Sequence, residues 1–303
     1  MEFLYLLERI RVPVLNEFML LITTFGEETA FLVAAMILFW CVDKYKGYYI
    51  LSVGFIGTLA NQFMKLWFRI PRPWVLDKDF TILEQAREAA SGYSFPSGHT
   101  QSSVGTFGGI AYTAKNRWIR YGALALAVLV PFSRMYVGVH TPLDVGVAVL
   151  LAVALIFMLC PVFSETNRKF IPYLFGGMLI MAIAYVCFIT FYNFPADIDS
   201  HNLQSGTKNA YTLLGALLGL LTVYIVDEKW IHFPTKAVWW AQIIKISVGF
   251  GLVLLVKSGL KDVLTMLFGE YPGRAVRYYL IVIVAGIVWP LSFKFFSKLG
   301  KKE

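Results

Sequence analysis

The sequence predicts an all-α fold, a polytopic helical membrane protein with about nine transmembrane helices. Three observations carry this expectation. Of 303 residues, 58% are hydrophobic and 15% charged, with a mean hydropathy of +0.64. Several apolar runs approach the roughly 20 residues that a helix needs to cross a bilayer core of about 30 Å. Basic residues gather between those runs.

Residues 1–27 come first and are the least regular. Glu8, Arg9, Arg11, Asn16 and Glu17, with Pro13 among them, interrupt the apolar pattern. This predicts a segment lying in the interface, with a tenth span as the alternative. Spans follow at 28–43, 46–66, 99–115, 118–135 and 142–162, closing a core over 28–162. Residues 163–303 supply further membrane helices at 170–193, 209–227, 237–257 and 277–297. The longest polar connection, 74–98, is expected to carry a short surface helix near 80–90.

Charge sorts the loops. Lys44 and Lys46; Lys115, Arg117 and Arg120; Arg168 and Lys169; Lys229 and Lys236; and Lys294, Lys298, Lys301 and Lys302 share one side of the nine-span plan. The positive-inside rule makes that side cytoplasmic and the N-terminus external. Lys257, Lys261, Arg274 and Arg277 break the pattern. The net charge of +8 is thus a topology signal, and no basic domain suggests nucleic-acid binding. Cys41, Cys160 and Cys187 lie in apolar segments at no metal-ligand spacing. The chain opens without a basic n-region or a small-x-small cleavage site.

An outward cationic cluster that defies the topology rule calls for a chemical reason. "KLWFRIPRPW" holds Lys65, Arg69 and Arg72 at a predicted helix end. "YSFPSGHT" (93–100) and "SRMYVGVHTPLD" (133–144) fall on the same face. Lys65, Arg72 and Arg134 would repel one another unless an anion joins them, and guanidinium forks match phosphate oxygens. Backbone N–H groups of the Pro-Ser-Gly-His turn, with Ser97, add donors at a helix start. His140 and Asp144 are four apart, so the carboxylate can orient the ring and leave one nitrogen nucleophilic. His99, beside the anion turn, can protonate a leaving oxygen. The set describes phosphoryl transfer through a phosphohistidine, stabilised by cations and with no metal or cofactor. Each residue alone has an ordinary account, as an interface anchor or helix cap; the three spacings together do not.

These segments resemble the signature of the type 2 phosphatidic acid phosphatase superfamily: K-x6-R-P, P-S-G-H and S-R-x5-H-x3-D, all matched over about residues 46–162. The resemblance implies a metal-independent membrane phosphatase on a core shared with vanadium haloperoxidases. It implies His140 as nucleophile oriented by Asp144, and His99 as acid and then base. Phosphate would be held by Lys65, Arg72, Arg134, Ser97 and the Gly98 amide. About 140 residues follow the core, unlike the commonest bacterial members, and the nine-span plan looks like that of glucose-6-phosphatases. The expected substrate is a lipid phosphate or prenyl diphosphate, met at the outer face of the cell membrane. A sugar-phosphate phosphatase and a non-hydrolytic transporter of phosphorylated solutes are the alternatives. Gly215 and Gly219 form a GxxxG pattern, for packing within the chain or for a homodimer. Lys245 falls inside a predicted span, where an ionisable group is either functional or a snorkelling lysine.

Overall fold

The computed structural model describes residues 1–88, 90, 92–196 and 198–299; Lys301 and Lys302 of the predicted cytoplasmic set lie outside them. The chain is all-helical, with no strand among the described residues. It divides into two units, Met1–Ala35, Tyr49–Pro161 and Asp197–Ser205 in one, and Met36–Tyr48, Val162–Ala196 and Gly206–Glu303 in the other.

In the first unit α1 (Glu2–Arg9) and α2 (Pro13–Thr24) precede α3 (Glu28–Ile37), whose last residues, with the π-helical turn that continues to Val42 and the first residues of the next helix, belong to the second unit. Pro13 stands at the first helical position of α2, where its missing N–H costs nothing. Then come α4 (Lys44–Phe68), the short α5 (Pro73–Leu76), and α6 (Gly98–Ser103), which runs through a π turn into α7 (Gly109–Thr113). Asn116 caps α8 (Arg117–Tyr136) by accepting from Trp118 N and Ile119 N. Thr141 and Asp144 form a capping box at the start of α9 (Pro142–Leu159).

The N-terminal segment packs against the connection that follows α5. Leu4 and Leu7 are buried, and Leu4 packs with Phe80 and Ile82. Tyr5 donates to Asp77 at 2.9 Å, and Thr81 donates to Glu8. Arg11 donates from Nε to Tyr136 O (3.0 Å) and from Nη1 to Thr81 O (2.8 Å). It therefore ties connection 77–82 to the turn after α8. Further along the 74–98 connection a 3₁₀ turn at Glu84–Ala86 stands in place of the expected surface helix.

The second unit holds α10 (Ile171–Phe191), most of α11 (Ser200–Val226), α12 (Trp239–Gly259), α13 (Lys261–Phe268), α14 (Glu270–Ile283) and α15 (Phe293–Phe296). Gly215 and Gly219 admit α14: a Cβ on Gly215 would run into Ala275 O, and one on Gly219 would lie 2.8 Å from Val282 Cβ. The motif thus serves packing within this unit. Lys245 is fully buried, donating to Trp40 O (2.6 Å) and Thr235 O (2.8 Å), with the Phe293 ring 4.1 Å away. It pins the extended residues before α12 to the end of α3, so its charge is met by carbonyls and a ring face.

All nine predicted helices form, but nine spans do not follow. Five are long and apolar enough to cross a bilayer: Pro142–Phe163, Glu165–Phe191, Ser200–Ile231, Trp239–Gly259 and Glu270–Phe296. A sixth arises if α2 and Glu28–Val42, bent by 54°, act as one broken span. Glu28–Val42 alone is too short. The other three carry polar groups where a span would be apolar. Helix α4 contains Lys44, Lys46, Asn61 and Lys65; α6 begins Gly-His-Thr-Gln-Ser-Ser; α8 carries Arg117, Arg120 and Arg134. The chain is an integral membrane protein whose least apolar helices hold its polar cluster.

Candidate active site

Lys65 sits in the last turn of α4 and donates to Tyr93 O. Arg72 follows as the extended N-cap of α5 and is buried. Its Nε donates to Gly92 O (2.9 Å), and its Nη1 lies 3.0 Å from Val139 O and 2.9 Å from His140 Nε2. Arg134 lies near the end of α8 and is fully buried. The chain then turns through Gly138, whose φ of +89° is strained for any residue with a Cβ, and delivers His140 just before the α9 cap. A Cβ on Gly138 would also lie 2.9 Å from Arg11 Nη2.

A guanidinium can only donate, so the ring nitrogen facing Arg72 carries the lone pair. The proton belongs to Nδ1, on the side of Asp144 Oδ2 at 3.5 Å. That distance is long for a hydrogen bond. The expected direct His140–Asp144 pairing on one helix face is modified accordingly: His140 precedes the helix, and Asp144 is held by its capping box. Asp144 Oδ2 accepts from Thr141 N (2.7 Å) and from Ser94 Oγ (2.6 Å), and Ser94 Oγ is itself 3.5 Å from His140 Nδ1. Ser94 was not singled out from the sequence.

Ser97 caps α6, accepting from Thr100 N, and Ser97 N donates to Asp144 O at 3.1 Å. This bond joins the Ser97-Gly98-His99 turn to the α9 start. His99 Nε2 is buried with no hydrogen-bond partner, as are Arg134 Nε and Nη2. Arg134 Nη1 donates to Thr23 Oγ1 at 2.6 Å. Against Lys65, Arg72 and Arg134 stands one buried carboxylate of this cluster among the described residues, Asp144. Burial first, and then Arg72, Arg134, Lys65 and His99, hold His140 well below the usual histidine range. Burial lowers Arg72 to about 10, with Asp144 opposing, so it is charged at neutral pH.

The structure therefore brings together Lys65, Arg72, Ser97, Gly98, His99, Arg134, His140 and Asp144. Orphaned buried donors around a neutral imidazole with a free lone pair suit a tetrahedral oxyanion. Beside Arg72 opens a groove of about 580 Å³ lined by Phe68, Trp74, Val75, Tyr93 and Ile198, with Arg69 and Asn202. Sequence reading missed Thr23, Gly26, Asn61 and Ser94. A Cβ on Gly26 would fall 2.8 Å from His99 Cβ. These four reach the site through contacts between distant chain segments, for which no local pattern exists.

Two family models match the chain. Residues 44–169 match the PAP2 superfamily, and residues 211–302 match the PAP2 superfamily phosphatase, transmembrane extension. The chain is 32% identical over 118 residues to undecaprenyl-diphosphatase BcrC of Bacillus subtilis, covering 39% of this chain and 58% of that protein. It is 32% identical over 174 residues to phosphatidylglycerophosphatase B of the same organism, covering 53% and 81%. Identity to a probable sphingosine-1-phosphate phosphatase of Dictyostelium discoideum is 29% over 229 residues, covering 68% and 51%. The first and third matches thus span little more than half of those relatives. No solved structure matches the chain.

Proposed function

The chain belongs to the PAP2 superfamily, and from that premise we propose that it hydrolyses a lipid phosphate or prenyl diphosphate through a phosphohistidine at the outer membrane face. The observation that carries this reading is the pairing of the His140 Nε2 lone pair with buried, unpartnered N–H groups of Arg134. Phosphate enters as a ligand of Lys65, Arg72, Arg134, Ser97 and the Gly98 amide, and draws Arg72 from His140. His140 Nε2 attacks phosphorus as the P–O bond to the leaving group breaks, and His99, which burial and the neighbouring cations keep neutral until the phosphate anion binds, gives that oxygen the proton it then holds. Asp144, with Ser94, holds the Nδ1 proton side and stabilises the charge that the ring acquires. Water then attacks the phosphohistidine, His99 takes a proton, and the P–N bond breaks to release phosphate.

The groove beside Arg72 offers a lipid aromatic and aliphatic side chains (Phe68, Trp74, Val75, Tyr93, Ile198) among polar ones (Arg69, Asp199, Asn202). A lipid reaching the site from the bilayer keeps its chain in hydrocarbon, avoiding about 0.8 kcal/mol per CH2 exposed. Relatives whose names specify undecaprenyl-diphosphate and phosphatidylglycerophosphate cleavage support the same class. The test is phosphate release by the purified chain in detergent. The specificity constant for long-chain lipid phosphates should exceed that for glucose 6-phosphate. A tenfold advantage for the sugar phosphate would overturn the lipid assignment, and binding without release would make the chain a carrier.

A further inference from the structure

Asn61 lies inside α4, one helical turn before Lys65 and on the same face. It is 2% exposed, and both its Oδ1 and its Nδ2 lack a hydrogen-bond partner. Its Oδ1 is 3.9 Å from the position a Cβ would take on Gly98, the residue before His99. A buried carboxamide with neither atom paired is costly, so its position calls for a partner that comes with the reaction.

The chemistry of the second half-reaction identifies that partner. A water molecule that attacks phosphorus keeps a lone pair toward the phosphorus and has two protons to place. His99 accepts one. The second needs another acceptor, and most of the site's acceptors are committed. Ser97 Oγ takes the Thr100 amide, and Asp144 Oδ2 takes Thr141 N and Ser94 Oγ. In the reading above the phosphate oxygens face Lys65, Arg72 and Arg134. We infer that Asn61 Oδ1 is the second acceptor of the hydrolytic water, so that Asn61 is a catalytic residue that favours water over alcohols in the dephosphorylation step. This rests on the phosphohistidine reading above. Atoms balance as before: the water oxygen bonds to phosphorus, the P–N electron pair returns to His140 Nε2, one proton goes to His99, and the other stays on the released phosphate.

An alcohol has a single hydroxyl proton, which His99 takes, and so needs no second acceptor. This separates a role in orienting water from general damage. Wild type and variants are assayed with a lipid phosphate in the presence of methanol, measuring methyl phosphate, inorganic phosphate and acid-quenched phosphoprotein. Asn61→Ala should lower hydrolysis about 10- to 100-fold, accumulate phosphohistidine, and raise the methyl phosphate to inorganic phosphate ratio about tenfold. Asn61→Asp, which keeps an acceptor oxygen, should return the ratio toward wild type. Thr100→Val removes another unpartnered buried oxygen, next to His99, and should leave the ratio unchanged. An unchanged ratio in Asn61→Ala, or a shift confined to Thr100→Val, overturns the assignment to Asn61 alone. Wild-type turnover with no trapped phosphoprotein, in rapid quench at every time point, overturns both the assignment and the phosphohistidine reading.

Discussion

Gly26→Ala should damage catalysis from outside every recognisable motif. The new methyl carbon would lie 2.8 Å from His99 Cβ, 2.8 Å from Val130 Cγ1 and 3.1 Å from His99 Cδ2. Ordinary contacts begin at 3.4 Å, so two neighbours on opposite elements must both yield. Val130 is fully buried in α8 and has little room to give, whereas His99 Nε2 has no bond holding it. The strain therefore moves His99. Overpacking of this kind costs about 1–3 kcal/mol of stability. If His99 transfers the proton as proposed, its displacement by a sizeable fraction of an ångström costs on the order of 10- to 100-fold in rate. The assay is kcat on a lipid phosphate, with thermal unfolding in detergent as the control. Trimming the other neighbour, in Gly26→Ala with Val130→Ala, should recover much of the rate by letting residue 26 move away from His99. A Gly26→Ala enzyme with wild-type kcat would refute the reasoning. So would a double variant slower than the single one.

His140→Ala and His99→Ala should each lower kcat at least about a thousandfold with folding intact, and wild-type activity should survive EDTA because Lys65, Arg72 and Arg134 supply the positive charge; near-normal turnover in His140→Ala sinks the mechanism. The depressed His140 value sets a sign for stability against pH. Below its unfolded value of about 6.5 the unfolded chain gains a proton that the native site refuses, so stability falls as pH drops from about 6.5 toward the folded value. His140→Asn should remove that part of the loss, and parallel melting curves for the two proteins between pH 7 and 5 would contradict it. Lys245→Met should destabilise the second unit by about 1–3 kcal/mol through the carbonyls left without their donor, read as a lower midpoint in detergent; an unchanged midpoint would make the lysine dispensable. For the outward orientation, cysteine at Ser200 in a background free of Cys41, Cys160 and Cys187 should react with an impermeant thiol reagent on intact cells and cysteine at Lys298 should not, the reverse pattern overturning the topology.

Local pattern located the helices because apolar runs and their breaks are written along the chain. It did not decide how many act as spans. A helix such as α6–α7 is apolar enough to bury and too polar and short to cross a bilayer, and only its neighbours distinguish these fates. The same division runs through the site. Lys65, Arg72, Ser97, His99, Arg134, His140 and Asp144 are legible because helix ends bring fixed spacings to one face. Asn61 gives no such signal, since an asparagine in an apolar run says nothing about what it faces. Ser94 lies inside a quoted motif, yet its bond to Asp144 spans 50 residues of sequence. Asp144 was read as a helix-face partner of His140, and its capping role changes how it supports the ring. Residues 1–27 looked least ordered in the sequence because their polar groups bind other segments instead of forming a periodic face.

The match to the PAP2 superfamily begins at residue 44, but the mechanical unit begins earlier. Thr23 holds Arg134, Gly26 gives His99 its room, and Arg11 braces the bend that presents His140. A fragment trimmed to the matched boundary would keep every signature side chain and lose what aims three of them. Chimeras that exchange catalytic cores between relatives would meet the same difficulty, transplanting the chemistry while leaving its alignment behind in the donor.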